Sequence, residues 1–490
     1  VVTMFATLLP EKIYEKNIRR MVNNLVASNR PRVLDYTKSI YYLLCQSSFH
    51  RTVLVGSHSL PPTESFHLSV NTTHIEGACL YLPTYLRSQV KLTGELKDAN
   101  INLVYPFKSD VVPLISKVTG VEYSDYLVIT FLACSEADME VSKVYALLYQ
   151  PLLQACLKGV PLFAHELAVS PSFKRHLKGI GFTKINSHPT HTGYVLWPEN
   201  LLLNLYEDIE DLILINNPRC ATIAPTLDKF GSLHRMLQVD RPLEFNMGAT
   251  MLSRAFLDDP LKIVIQPQSQ HLAPLLFDLT RYLFSVSSYR GLCVATVSCD
   301  NKGRQVLQMA RSEVAEQYPN QVDYDSFSAC MIGNPPGQES GYWGNTANLV
   351  KIYTSAGIST KNLGCLSAGE KMHSLHCGSL ENHFYICWIA ASVAFKGYGL
   401  GGYLMDWACA VTDLCKAYLY LENSKLANIG FYNKYGLTVK HMANVSRALH
   451  ETYTYFMLRE VNLKSTRPIA RVWAHDERRM REHATPLELK

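Results

Sequence analysis

One stretch of this chain occurs twice. Tyr126–Leu148 reads YLVITFLACSEADMEVSKVYALL, and His383–Met405 reads HFYICWIAASVAFKGYGLGGYLM. Each opens on an apolar run rich in β-branched and aromatic residues, the composition of a buried strand. Each then passes through a short polar or glycine-bearing link into a helix-like apolar pattern that ends near Lys158-Gly159 and Lys416. A second buried strand follows, PLFAHE over Pro161–Glu166 and AYLYLE over Ala417–Glu422. Tyr126 to Glu166 covers 40 positions and His383 to Glu422 covers 39, which sets Glu166 against Glu422. Chance similarity does not readily give near-equal spacing over this length.

The match extends in both directions. Downstream, each unit runs through a short helix to Gly181-Phe182 and Gly436-Leu437. Upstream, Gly77-Ala78-Cys79-Leu80-Tyr81-Leu82-Pro83 lines up with the segment Ser328–Pro335, Cys79 on Cys330. Earlier still, each half has a helical stretch (Asn17–Ser28 and Ala249–Leu257) and a strand (Thr52–Gly56 and Leu292–Ser298). The fold class expected is therefore α/β (α+β), as two tandem copies of one unit. The boundaries fall at 1–199 for the first copy, 200–242 for a connection, 243–462 for the second copy and 463–490 for a basic tail. Within the connection, Tyr206–Ile215 reads as a short helix and Asn216–Pro225 as a loop.

Composition narrows the function classes. With 47% apolar and 18% charged residues, the chain has ample material for a core and is not mainly disordered. The net charge of +5 over 490 residues comes without a basic stripe, which argues against nucleic acid as the partner. The longest apolar run, Tyr385–Phe395, falls far short of the ~18 residues that cross a bilayer, so a membrane partner is not expected. Within the first twenty residues charged side chains run from Glu11 to Arg20, and no signal-peptide core is expected there. Thirteen scattered cysteines without a C-x-x-C pair read as reduced thiols, and hence as a cytoplasmic or nuclear protein. His373, His376 and Cys377 lie close together, but no second ligand cluster accompanies them, so no metal is expected.

The most informative residues are Phe395-Lys396-Gly397-Tyr398-Gly399-Leu400-Gly401-Gly402, between a buried strand and an amphipathic helix. Glycines there allow positive φ and close approach to the backbone. Successive amides can then line one concavity at a helix N-terminus, a geometry that binds phosphate. No Gly-Lys-Ser/Thr follows, so this is not a Walker loop, and the glycine spacing does not fit the dinucleotide fingerprint.

This segment resembles the acyl-CoA loop of the GCN5-related N-acetyltransferase (GNAT) superfamily, Q/R-x-x-G-x-G/A, as Lys396-x-x-Gly399-x-Gly401. Leu421-Glu422-Asn423-Ser424, Asn428, Phe431-Tyr432 and Tyr435-Gly436-Leu437 are similar to the family's closing pattern. Met251–Pro260 is similar to the first helix of many small-molecule members, and the likeness covers about 243–462. Lys396 departs from Gln/Arg, and Ser392-Val393 stands where Asp-Pro is frequent. The resemblance implies two GNAT-like domains, each a mixed, mostly antiparallel, splayed sheet flanked by helices. It implies that the strand Ile386–Ala391 splays from its neighbour Tyr418–Glu422 and that pantetheine pairs with Ile389, Ala390 and Ala391. Pyrophosphate would rest on Lys396, Gly397, Tyr398, Gly399, Leu400, Gly401 and Gly402, with Asn428 on the pantetheine side. The amine would attack the thioester directly, with Glu422 as base and Tyr432 as acid. Acetyl-CoA is the implied donor.

The first copy lacks this chemistry. Against Gly399 and Gly401 it sets Ser142 and Val144, against Lys396 it sets Met139, and Asp138 and Glu140 add negative charge. A β-branched residue disfavours positive φ and blocks close approach. The FKRHLKGIGF stretch, Phe173–Phe182, contains no tyrosine. The first copy is thus expected to keep the fold and lose acyl-CoA, and the two halves to pair within the chain. An N-acyltransferase of a small primary amine is the leading expectation. A protein lysine or N-terminal acetyltransferase is the enzymatic alternative, and a non-catalytic acyl-CoA-binding or interaction protein is the other.

Overall fold

The computed structural model describes residues 52–58, 73–83, 126–134, 141–165, 169, 171–185, 193–196, 226–229, 231–290, 292–299, 327–334, 346–358, 383–415, 417–445, 452–460 and 485–486. Contacts divide the chain into two compact units. The first takes Val1–Thr226, Leu233–Arg241 and Ser298–Leu307; the second takes Leu227–Ser232, Pro242–Val297 and Gln308–Lys490. The expected helices Asn17–Ser28 and Tyr206–Ile215, the His373–Cys377 group, Glu166 and the region Asp138–Glu140 lie outside the described residues.

The first unit carries β1 (Thr52–His58), β2 (Thr73–Pro83), β3 (Leu127–Cys134), α1 (Val141–Lys158), β4 (Leu162–His165), α2 (Pro171–Ile180), β5 (Thr183–Ile185) and β6 (Gly193–Leu196). Its sheet has the order β1-β2-β3-β4-β6-β5. Only β3–β4 is parallel; the other pairs are antiparallel. Tyr126, Val128, Phe163, Ile185 and Val195 form a core cluster here, with the Tyr126 and Phe163 rings edge to face at 6.2 Å. Such burial is worth about 1.5–3 kcal/mol per large side chain.

β7 (Thr226–Leu227) and β8 (Leu233–Gln238) follow, inside the stretch 200–242 read as a connection. After them come α3 (Pro242–Ala255), α4 (Pro260–Ile265), α5 (Ser269–Arg290), β9 (Leu292–Ser298), β10 (Ala329–Asn334), α6 (Thr346–Ser355), β11 (His383–Ala391), α7 (Leu400–Cys415), β12 (Tyr418–Asn423), α8 (Ile429–Asn433), β13 (Thr438–Asn444), β14 (Tyr453–Arg459) and β15 (Thr485–Pro486). The helix expected over Ala249–Leu257 thus begins earlier, at Pro242, and ends at Ala255. Phe245 of α3 stacks on Phe284 of α5 with centroids 6.5 Å apart.

Strands β9 to β14 run in the order β9-β10-β11-β12-β14-β13, the order of β1 to β6. The directions match as well: β11–β12 is the parallel pair, and its neighbours are antiparallel. Both units also share one irregularity. In β3 the ladder to β2 skips Thr130, and in β11 the ladder to β10 skips Cys387. Thr130 and Cys387 occupy the same position when Tyr126 is set on His383.

Register corrects two details of the sequence alignment. Leu127 faces Leu162 and Ile129 faces Ala164, while Phe384 faces Leu419 and Ile386 faces Leu421. His165, not Glu166, therefore corresponds to Glu422. Likewise Gly77 faces Cys134 where Ala329 faces Ala391, so Cys79 corresponds to Met331 rather than to Cys330. A slip of one residue is invisible in strands apolar on both faces, yet it exchanges every side chain between faces.

Candidate functional site

The site begins at the bulge. β11 pairs with β12 only from His383↔Tyr418 to Ile386↔Leu421, and the pairing stops where Cys387 bulges. A bulge adds twist and bends its strand. Beyond it, Ile389, Ala390 and Ala391 stay bonded to Met331, Cys330 and Ala329 on one side, with no ladder partner toward β12. β12 meanwhile continues with β14 through Asn423↔Tyr455. The two parallel strands thus open a wedge, with one backbone edge of β11 facing it.

The chain leaves β11 through Ser392, which is fully buried. Its hydroxyl accepts from the Ala394 amide at 3.2 Å and caps the short 3-10 turn Val393–Phe395. Serine thus does here what a capping aspartate does elsewhere. Phe395 is buried edge to face with Tyr398, centroids 5.3 Å apart. Gly397 and Gly399 follow at φ +82° and +93°, and both are exposed. No side chain would collide at Gly399; only the left-handed backbone calls for glycine there.

α7 begins at Leu400. Its first internal-type bond runs from the Tyr403 amide to the Gly399 carbonyl at 3.1 Å. Among the described residues, the amides of Gly397, Gly399, Leu400, Gly401 and Gly402 have no hydrogen-bond acceptor. Donors on a left-handed turn followed by a helix N-terminus make an anion cradle. Gly402 has a second reason to be glycine: a Cβ there would stand 2.7 Å from Tyr435 Oη. Leu400 differs from its neighbours, since its side chain is buried in the core.

Glu422 sits on β12 beside the opening. Its Oε1 accepts from Tyr420 at 2.9 Å and its Oε2 from Tyr385 at 3.3 Å. Burial pushes this carboxyl above the ordinary carboxylate range, while the two phenols and the Lys262 ammonium pull it back. Lys262 lies 4.5 Å from the Trp388 ring centroid, and Trp388 packs on Phe256 at 4.5 Å. Glu422 is therefore held by phenols and does not cap the loop that follows.

Tyr432 is buried on α8, packed against Phe431 with centroids 5.2 Å apart. Burial, and then the Asp259 carboxylate, push its phenol well above the usual tyrosine range. It stays protonated at neutral pH and is a proton donor in waiting. Asn428 is half-buried at the end of the turn Leu426–Asn428, where its side chain makes no capping bond to α8.

Asp259 is the residue that sequence reasoning passed over. It is buried and caps α4, accepting from the Lys262 amide at 3.1 Å. Its other oxygen accepts from the Ser424 hydroxyl at 2.5 Å. Next to it, Asp258 pairs with Lys425 at 2.6 Å. The α3–α4 turn is thereby fastened to the end of β12, and Asp259 acts on Tyr432. The signal was present as Asp-Asp-Pro, an N-cap before a Pro at the first helical turn.

The first unit is built differently at the matching place. α1 starts at Val141, so Ser142 already lies inside the helix, and Val144 is buried in the core. Among the described residues no His, Cys, Asp or Glu cluster could hold a metal ion. None of the described helices is long and apolar enough to cross a membrane.

A parallel pair splayed at a bulge, with a glycine turn leading from it into a helix, is the arrangement that the sequence resemblance implied. The second unit has a GNAT-like arrangement of strands and helices. No family model matches the chain, and no curated protein matches it. Solved structures similar to it are GNAT acetyltransferases. The histone acetyltransferase HPA2-related protein of Corynebacterium glutamicum is 18% identical, with a TM-score of 0.30 over 47% of this chain and 98% of that one. The Drosophila melanogaster polyamine N-acetyltransferase is 14% identical, with a TM-score of 0.29 over 46% and 99%. A mosquito arylalkylamine N-acetyltransferase like 5b is 13% identical, with a TM-score of 0.29 over 46% and 99%.

Proposed function

We propose that the chain is an acyl-CoA-dependent N-acyltransferase that transfers acetyl from acetyl-CoA to a small primary amine in its second unit. The observation that carries this reading is the glycine turn at the mouth of the β11–β12 wedge: the Lys396 and Tyr398 amides are spent on Val393 and Phe395, while those of Gly397, Gly399, Leu400, Gly401 and Gly402 have no backbone acceptor among the described residues. Pyrophosphate fits the turn, and pantetheine fits the unpaired edge at Ile389–Ala391 as an added strand.

The residues then divide the work. The amine nitrogen attacks the thioester carbonyl carbon, and its proton passes to Glu422, directly or through water. As the tetrahedral intermediate collapses, the carbon–sulfur bond breaks and the thiolate takes the Tyr432 proton. A raised carboxyl pKa suits a base that must accept a proton near neutrality. A small cationic acceptor is supported by Glu422 and by the buried Asp259, held where the α3–α4 turn closes on β12.

The first unit is read as a degenerate copy that keeps the strand order and bulge and has lost the donor site. Its buried Val144 stands where the phosphate turn needs Gly401. The test is turnover of acetyl-CoA by the full chain against small primary amines, lysine-bearing peptides and free N-terminal peptides. Acylation of small amines alone supports the reading. Acylation of peptides alone replaces it with a protein acetyltransferase, and donor binding without turnover replaces it with a binding protein.

A further inference from the structure

The turn between β7 and β8 reaches the glycine loop. It is closed by Asp228, which is buried: the Ser232 amide donates to Asp228 Oδ1 at 3.0 Å, and the Gly231 amide to the Asp228 carbonyl at 3.0 Å. This fixes Lys229 beside it, exposed. The Lys229 ammonium lies 5.1 Å from the Tyr398 ring centroid, and a Cβ built on Gly397 would stand 3.8 Å from it. Nζ therefore lies beside the backbone of the turn whose glycine amides have no backbone acceptor among the described residues.

Two cations, Lys229 and Lys396, then attend one glycine turn, and the sequence from Ser392 to Met405 contains no acidic residue. Such a concentration of positive charge and oriented amides suits a doubly charged diphosphate. Tyr398 contributes by holding the ammonium through its ring face, which lowers the entropy lost when the lysine engages a ligand.

We propose that Lys229 is a donor-binding residue whose ammonium engages the pyrophosphate of the acyl-CoA. The inference rests on the donor reading above and extends the site into the stretch that joins the two repeats. A second unit cut at residue 243 lacks this cation.

The test uses the full chain and its variants Lys229→Met and Lys229→Arg. Calorimetry is run with CoA and with 3′-dephospho-CoA, and turnover is measured with S-acetylpantetheine, which has no phosphate anhydride. Lys229→Met is expected to weaken both nucleotides equally, by about tenfold, the low end for a charge-assisted contact near solvent. Lys229→Arg retains most of the affinity, and kcat/KM with S-acetylpantetheine does not change in either variant. Unchanged CoA affinity in Lys229→Met overturns the proposal. A loss with CoA but not with 3′-dephospho-CoA reassigns the lysine to the 3′-phosphate and overturns it as well. An equal loss with S-acetylpantetheine makes the role structural. Absence of CoA binding in the unaltered chain removes the donor reading itself, and Lys229 with it.

Discussion

The Tyr420 hydroxyl donates to Glu422 Oε1 at 2.9 Å, from two residues earlier on the same face of β12. This bond stabilises the charged carboxylate against its burial. Tyr420→Phe is expected to push the Glu422 pKa further up and to move the acid limb of the pH–rate profile to higher pH by about one unit. An unchanged limb would separate Glu422 from the base role.

Glu422→Gln tests the same carboxyl through stability. Its folded pKa is raised above its unfolded value, so its contribution is fully present below the ordinary carboxylate pKa and is lost as pH rises through the folded value. The Gln variant does not titrate. Its Tm at pH 8 is expected to equal or exceed that of the unaltered chain, and the difference to shrink as pH falls toward 4. Turnover is expected to fall by about 10²-fold or more. A Tm loss in the variant that is the same at every pH would contradict this account.

Tyr432→Phe removes the proton donor and leaves the ring in its buried place. The expected result is a fall in kcat of about 10²-fold with a nearly unchanged KM for the donor. Because burial and Asp259 hold the phenol above its usual range, ionisation of Tyr432 is expected to cost the unaltered chain no turnover at the pH where an ordinary tyrosine titrates. Equal kcat in the two proteins would assign Tyr432 to packing.

Much of the fold was legible because apolar period and glycine placement are local. The run His383–Ala391, the helix from Leu400 and the positive φ of Gly399 all follow from residues in the sequence window that shows them. The strand register was not legible. β3 and β11 are apolar on both faces, so a one-residue shift changes no local pattern, and His165 rather than Glu422's look-alike Glu166 holds the matching place. The bulges at Thr130 and Cys387 carry no glycine or proline to mark them. Asp259 and Lys229 reach the site from the α3–α4 and β7–β8 turns. The fold, and not sequence proximity, brings them beside Tyr432 and Tyr398.

Gly399 and Gly402 should fail differently. Gly399→Ala strains a left-handed backbone at a cost of about 1 kcal/mol and reorients the amides around it. Donor affinity is expected to fall more than tenfold with the Tm nearly kept. Gly402→Ala instead forces Tyr435 Oη away from 2.7 Å and perturbs the packing of α7 on the Phe431–Tyr435 segment. Its Tm should fall before its donor affinity does, measured by thermal melting beside calorimetry.

The central claim is that the second unit offers its turn amides to a diphosphate and the first unit cannot. Titration calorimetry of the full chain with acetyl-CoA tests it most directly. The account predicts one donor bound per chain and none bound by Gly399→Val, with folding retained. Two donors per chain, or binding undiminished in Gly399→Val, would contradict it.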